Sequence, residues 1–416
     1  MKINSNTFCS AAWFGIRNRQ DMTKTVCCLL DWNTKDPGTE QMSPLDYLNS
    51  DKIKNMRKQM HEGKKVAQCQ QCWTIESQGR RSLRLNLNDF ISNGRGSNLH
   101  SSWLQAYFNR KDDFTTDQVM LTDIKIGNTC NFACVMCNPK DSSMIYNYWS
   151  KNKDNEFVQE HLKEDPKYFE KAKFTGFKQN AYRDYIENVL ENNDKIKRIS
   201  LLGGEPTLDE KLFAMLYNIS NDRKKKIALN IITNGSNNMV ERTKKLGPFE
   251  KIHWTLSLEG VQDVQDYARY GSKWKEVEHN ILEQLRYDPT SITVAPLVQA
   301  TTLTGLPELI KWANSYNLPL HVQDIYAPTY LGLDSVPSEL KQKVIAQLEI
   351  ISEFKVAVND ENIPWNMSAI INTINDSNFD EKKLIQFRNY LKFYEKDRDM
   401  KTFIDVCPEW RKYFEV

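Results

Sequence analysis

Nine cysteines are the residues of this chain best suited to chemistry, and they are unevenly spaced. Cys130, Cys134 and Cys137 share one short string, IGNTCNFACVMC, with three and then two residues between successive thiols. Cys9, Cys27, Cys28, Cys69 and Cys72 fall near the start, and Cys407 stands alone near the end. An odd count, behind an opening MKINSNTFCSAAWFG too polar for a secretory leader, points to a cytoplasmic chain without a disulfide framework. Thiolates are soft ligands that select zinc, copper or iron–sulfur clusters. Three of them on one loop can hold three corners of a [4Fe–4S] cube and leave the fourth iron open. The rival is a zinc knuckle that borrows a distant fourth ligand.

The elements that must position these thiols follow from the pattern around them. The chain has 416 residues, 40% of them hydrophobic, and a net charge of +2, which is globular composition with room for two or three domains. The near-zero balance speaks against a nucleic-acid coat, and no apolar run is long enough for a membrane helix. Apolar runs at Leu121–Ile126, Ile196–Leu202, Ile227–Thr233, Ile252–Leu258, Ile292–Gln299 and Leu318–Asp324 alternate with helix-length polar segments. This alternation predicts parallel βα units in an α/β open sheet or partial barrel, whose chemistry gathers at the carboxyl ends of the strands. The cysteine string directly follows the first run. Helices are expected over Pro44 to Gly63, in the charged insertion Lys151–Asn193, and after about residue 330, where Leu384, Phe387, Leu391 and Tyr394 share a face.

The Cx3Cx2C string after a first strand resembles the radical S-adenosylmethionine (SAM) superfamily, and further motifs follow in that family's order. Gly203, Gly204, Glu205 and Pro206 in ISLLGGEP are similar to the segment that binds the methionine amino group of SAM. Thr233 and Asn234 end the third run; Ser257 and Glu259, in SLEG, end the fourth, where the resemblance assigns Ser257 to the ribose or carboxylate of SAM. Arg269 resembles an arginine that pairs with the SAM carboxylate, and Gln299 ends the fifth run. Met136 stands where the family often has an aromatic residue on the adenine, and a thioether can fill that place. The resemblance implies a partial (β/α)6 barrel of the TIM type. It also implies a [4Fe–4S] cluster on Cys130, Cys134 and Cys137, and reductive cleavage of SAM to a 5′-deoxyadenosyl radical that abstracts a hydrogen atom.

In the first region, Cys69 and Cys72 form a CxxC pair, and Cys9 with Cys27 or Cys28 completes four thiols, enough for a closed zinc site or a fully ligated cluster. With Glu76, Gly79, Ser82 and Arg84 spaced E-x2-G-x2-S-x-R, the string resembles the SPASM and twitch auxiliary-cluster modules, here ahead of the core. That resemblance implies an auxiliary [4Fe–4S] cluster on Cys9, Cys27, Cys69 and Cys72. Cys27 keeps the family's count from a glycine whose place Met22 takes. Adjacent residues of an extended chain face opposite ways, so Cys28 is expected to be a core thiol, as is Cys407. His61, His100, His161, His253, His279 and His321 share no metal-binding spacing, and His321 is expected to be a core residue. Lys125 and Asn128 are expected to line the active site. Tyr146, Tyr148 and Trp149 are expected in the core, and Arg223–Lys226 at a solvated helix end.

The expected organisation is an auxiliary-cluster domain over 1–110, a radical SAM core over 111–330 and a C-terminal helical extension over 331–416. The expected activity is hydrogen abstraction from a peptide or amino-acid substrate (oxidation, crosslinking or epimerisation), with an external electron donor such as flavodoxin or ferredoxin. Small-molecule or sugar chemistry, and a purely electron-transferring or scaffolding protein, are the alternatives.

Overall fold

A computed structural model describes residues 6–19, 23–30, 38–92, 102–109, 112–172, 193–358 and 361–415. Met22 and His100 lie outside them, as does 173–192 of the charged insertion.

The strands are β1 (Gly15–Asn18), β2 (Lys24–Thr25), β3 (Leu121–Lys125), β4 (Ala133–Cys134), β5 (Arg198–Leu202), β6 (Ala228–Thr233), β7 (Lys251–Leu256), β8 (Arg269–Tyr270), β9 (Ile292–Val294), β10 (Leu297–Val298), β11 (Gln323–Asp324), β12 (Glu353–Val358) and β13 (Glu361–Asn366). Seven form one sheet in the order β2-β1-β3-β5-β6-β7-β9, parallel throughout except for the β1–β2 hairpin pairing. Each core strand obeys the two-residue side-chain period. Ile124, Ile199, Leu201, Leu229, Ile231, Trp254 and Leu256 are fully buried on the helix-covered side. The alternate residues Asp123, Ser200, Asn230, His253 and Thr255 turn to the concave side, around a cavity of about 370 Å³.

Several features depart from the sequence reading. The run Leu318–Asp324 pairs only through a bridge from Leu320 to Val294 and through β11 on β10, because Pro319 lacks a ladder donor. The expected helix from Pro44 to Gly63 is two helices, Pro44–Leu48 and Asp51–His61, separated at Asn49 and Ser50, residues that favour turns and caps. The C-terminal extension is not all helical. β12 and β13 form an antiparallel hairpin in which Phe354 and Val356 alternate inward with exposed neighbours. The strand pair β1–β2 was also unforeseen: β1 adds to the edge of β3, from Gly15 opposite Leu121 to Asn18 opposite Ile124. In the insertion, helices occupy Glu156–Glu164 and Tyr168–Ala172. Among the described residues no helix is long and apolar enough to cross a membrane.

Candidate active site

The cysteine loop leaves β3 and is fixed by its own polar residues. Asn128 donates to the Pro139 carbonyl at 3.1 Å, Ser142 Oγ to the Phe132 carbonyl at 2.9 Å, and the Cys130 amide donates to Ser143 Oγ at 3.1 Å. Lys125 pairs with Asp141, which also accepts from Asn138 at 2.8 Å. Lys125 and Asn128 therefore shape the loop. β4 carries Cys134 and pairs with β8, Cys134 opposite Arg269.

The outer side of the loop is held by the C-terminal helix Glu381–Glu395. Tyr394 donates to the carbonyls of Ala133 at 3.0 Å and Tyr267 at 3.1 Å, and Tyr390 donates to that of Val135. Arg398 donates to the Ala133 carbonyl at 3.3 Å from within a cage of Tyr148, Tyr270 and Tyr394. Tyr148 in turn donates to the Phe393 carbonyl at 2.5 Å. Sequence reasoning placed Tyr394 and Tyr148 in the core. Their hydroxyls, buried among carbonyls of the cysteine loop and the helix that covers it, are what that reading missed.

Burial pushes the Cys130 thiol up to about 12, with the Cys134 charge adding to it. Burial also raises Cys134, opposed by Arg269, and raises Cys137 strongly, with the charges of Cys134, Asp141 and Cys130 adding. Without compensating positive charge these thiols stay protonated; a metal inverts that balance by binding the thiolate. Among the described residues no group of three or more His, Cys, Asp or Glu side chains converges to hold a metal ion. A single zinc ion needs its ligands within about 2.3 Å of one point, whereas a [4Fe–4S] cube gives each thiolate its own iron.

The loop after β5 packs onto this one backbone to backbone. The Gly204 amide donates to the Gly127 carbonyl and the Glu205 amide to the Thr129 carbonyl, each at 2.7 Å. A Cβ on Gly204 would lie 2.2 Å from the Thr129 carbonyl oxygen, and one on Gly203 2.7 Å from that of Gly127. The glycines are thus required by the contact between two loops rather than by a ligand alone. Glu205, expected to meet an ammonium, is buried and accepts from the chain itself: from the Thr207 amide and hydroxyl at 3.1 and 2.6 Å, the Thr233 hydroxyl at 2.8 Å and the Asn234 amide at 2.7 Å. Pro206 opens the short turn Pro206–Leu208. Asn234 also donates to Asn131 on the cysteine loop at 2.9 Å.

Glu259 and Arg269 form a buried pair at 2.5 Å; Glu259 also accepts from the Leu297 amide at 2.9 Å, and Arg269 reaches Cys134 Sγ at 3.5 Å. The Arg269 Nε, both polar atoms of Gln299 and the Thr301 hydroxyl are buried without hydrogen-bond partners. Ser257 and Met136 are half-buried beside them in chain order. An orphaned Arg269 nitrogen beside Cys134, with orphaned groups on Gln299 just past β10, fits a polar cofactor such as SAM.

The N-terminal thiols form a second group. Burial raises Cys27 strongly, and the charges of Cys28, Cys9, Cys69 and Cys72 add to it; Cys9 and Cys72 likewise raise Cys69. Burial also pushes Cys72 up to about 12 and raises Cys9. Cys28 answers to other neighbours: after burial, its largest influences are Arg17 and Asp123, and it lines the concave cavity. The E-x2-G-x2-S-x-R string is a lock. Glu76 accepts from Ser82 and, bidentately, from Arg84 at 2.9 and 2.6 Å; Arg84 also donates to the Phe8 carbonyl at 2.7 Å, one residue before Cys9. Gly79 takes φ of +83° just past the CxxC helix Gln70–Ser77, as a left-handed cap requires. Cys407 is a buried thiol near the Thr301 carbonyl. His321 lines the cavity, where burial and the charges of Arg80, Arg198 and Arg81 push it down to about 4.

A strand-borne triad of thiols, two interlocked βα loops and an acid–arginine pair define a parallel α/β core with a thiol-rich mouth. Residues 124–287 match the family model of the radical SAM superfamily. No curated protein matches the chain. Among solved structures, it is similar to histidine-tagged anSMEcpe with bound AdoMet, at 18% identity over 55% of this chain and 59% of that one, TM-score 0.39. It is similar to Streptococcus suis SuiB bound to the precursor peptide SuiA, at 14% identity over 55% and 46%, TM-score 0.35. A third is TYW1 with a lysine-pyruvate adduct bound, at 14% identity over 57% and 76%, TM-score 0.31. The chain thus spans less than two thirds of the first two of these proteins.

Proposed function

We propose that this protein is a radical SAM enzyme acting on a peptide or amino-acid substrate. The observation that carries the reading is the loop of three thiols at the carboxyl end of β3, inside the segment that matches the superfamily model. Cys130, Cys134 and Cys137 would hold the SAM-binding [4Fe–4S] cluster. Bound there together, the reduced cluster and SAM supply a 5′-deoxyadenosyl radical able to abstract a hydrogen atom. The chain's own part is to hold and shield. Arg269 keeps positive charge beside Cys134 and has one nitrogen free for an anionic group; Gln299 offers one donor and one acceptor; Glu205 clamps the three loops that meet around the thiols. The helix carrying Tyr390 and Tyr394 covers the loop from outside, which excludes solvent.

Cys9, Cys27, Cys69 and Cys72 would hold an auxiliary [4Fe–4S] cluster in a SPASM- or twitch-like module. Their mutual charge effects support one shared site for these thiols. Anaerobic reconstitution with SAM and a strong reductant is the test. Formation of 5′-deoxyadenosine, with about eight irons per chain, is expected. Full clusters without 5′-deoxyadenosine would overturn the enzymatic reading, and about four irons with one zinc would overturn the auxiliary cluster.

A further inference from the structure

Closed (β/α) barrels fill their interior with layers of branched apolar side chains. This one does not. Register places Asp123 beside Ser200, Ser200 beside Asn230 and Asn230 beside His253, so one interior layer across four adjacent strands is wholly polar. All four line the cavity. Ser200 is 3% exposed, and its hydroxyl has no hydrogen-bond partner. Asn230 accepts from Thr255 at 2.9 Å and His253 bonds Thr293 at 3.0 Å, whereas the buried Ser200 hydroxyl beside a space of about 370 Å³ is costly unless a polar guest meets it.

The charges say which guest. Arg198 lies two residues below Ser200 on the same face and lines the cavity. Its guanidinium has no hydrogen-bond or ion-pair partner among the described residues and lies over the Phe90 ring at 6.0 Å. The other arginines of the cavity are in ion pairs: Arg80 with Asp324 and Arg81 with Asp89. Asp123 is the matching anion, also without hydrogen-bond or ion-pair partner among the described residues, while Arg17 across from it on β1 has a partner of its own. One strand over and two residues along, Arg198 and Asp123 are held roughly 8 Å apart at their backbones by sheet geometry. They are near enough to feel each other's charge but do not close into a pair.

We propose that the barrel interior binds a free α-amino acid, with its carboxylate on Arg198 and its ammonium on Asp123. Ser200 and Asn230 take the remaining hydrogen bonds. The anchor sits deep: Ser200 is three residues, or roughly 10 Å of strand, below the Gly203 loop. The ligand's side chain, not its α-carbon, therefore points to the strand ends where the thiol triad lies. This deepens the amino-acid reading above and rests on it.

The test uses the reconstituted holoenzyme and sixty probes: the twenty free L-amino acids, their Nα-acetyl derivatives and their α-amides, scored by calorimetry or thermal shift. At least one free amino acid should bind, with both blocked forms at least tenfold weaker. Arg198→Gln should erase the preference for acid over amide and keep the preference over the acetyl form; Asp123→Asn should do the reverse. Iron content and the unliganded melting temperature show whether each variant folds, and Arg198→Lys, which keeps the charge, should restore part of the acid preference. Wild-type holoenzyme that makes 5′-deoxyadenosine yet binds none of the twenty, or binds blocked and free forms alike, overturns the pocket and leaves the proposed function standing. Absence of 5′-deoxyadenosine counts against the proposed function instead.

Discussion

Replacing Glu205 by glutamine separates two roles that the GGEP string leaves entangled. The carboxylate is 3% exposed and accepts four hydrogen bonds, three on Oε1 from Thr207 and Thr233 and one on Oε2 from the Asn234 amide. Burial raises its pKa, and those donors pull the other way. Glutamine keeps the shape and one oxygen. Its amide nitrogen is least costly facing Asn234, because only one donor waits there instead of three. That leaves one buried N–H against another donor, about 1–3 kcal/mol, and turns three charge-assisted bonds into neutral ones, each weaker by roughly 0.5–1 kcal/mol. Sparing the buried charge returns part of this, so the expected net loss is about 2–3 kcal/mol. At roughly 2–4 °C per kcal/mol for a chain of some hundreds of residues, the melting temperature should fall by about 5–10 °C.

The assay pairs calorimetry on Glu205→Gln with the KM for SAM in 5′-deoxyadenosine formation. A clamp predicts a lower melting temperature and lower iron retention, since Glu205 ties the loop after β5 to Thr233 and to Asn234, which reaches the cysteine loop. A melting temperature unchanged within 1 °C of wild type (a threshold of about 0.3–0.5 kcal/mol), together with a raised KM, would refute the clamp and give the carboxylate back to the SAM ammonium.

Cys27→Ser should remove about half of the iron while Cys28→Ser leaves it whole, measured by iron analysis of the reconstituted chains; equal loss in both would undo the choice of ligand. Tyr394→Phe deletes two buried bonds to the Ala133 and Tyr267 carbonyls, so stability should drop by about 1–3 kcal/mol and the first cluster should bleach faster in air, followed by absorbance. Glu339 is held down to about 2 by Lys412, Lys343 and Tyr413. Its depressed value means that the contribution of these exposed contacts to the C-terminal turn Pro408–Tyr413 is present above the ordinary carboxylate range and is lost as pH falls from about 4.5 towards 2. Acid titration of tyrosine and tryptophan fluorescence should show that step, and Glu339→Gln should lack it. His321, pushed to about 4 by burial and then by Arg80, Arg198 and Arg81, is disfavoured as a cation in the folded chain, so its contribution is lost as pH falls from about 6.5 to 4; an imidazole titrating near 6.5 by NMR would contradict that burial.

What could be read from the sequence was whatever depends on near neighbours. The triad was legible because its three thiols sit within eight residues, and ligand spacing on one loop survives any tertiary arrangement. The core strands were legible because short apolar runs such as Ile196–Leu202 and Ile227–Thr233 stand between helix-length polar segments. Gly203 and Gly204 were found for a reason the structure amends: the backbone they approach belongs to Gly127 and Thr129, some 75 residues away, and nothing local marks such a meeting. The same distance hid β1, four residues whose partner strand begins at Leu121. The polar alternates Asp123, Ser200, Asn230 and His253 were in plain view as the other half of each strand's period. Read one strand at a time they pass for a solvated face. Only register turns them into a layer, and only the cavity on that side of the sheet shows that the layer faces inward. If the proposed pocket holds, substrate specificity would lie in residues that look least informative strand by strand, while the thiols proposed for the cluster stand out in the sequence.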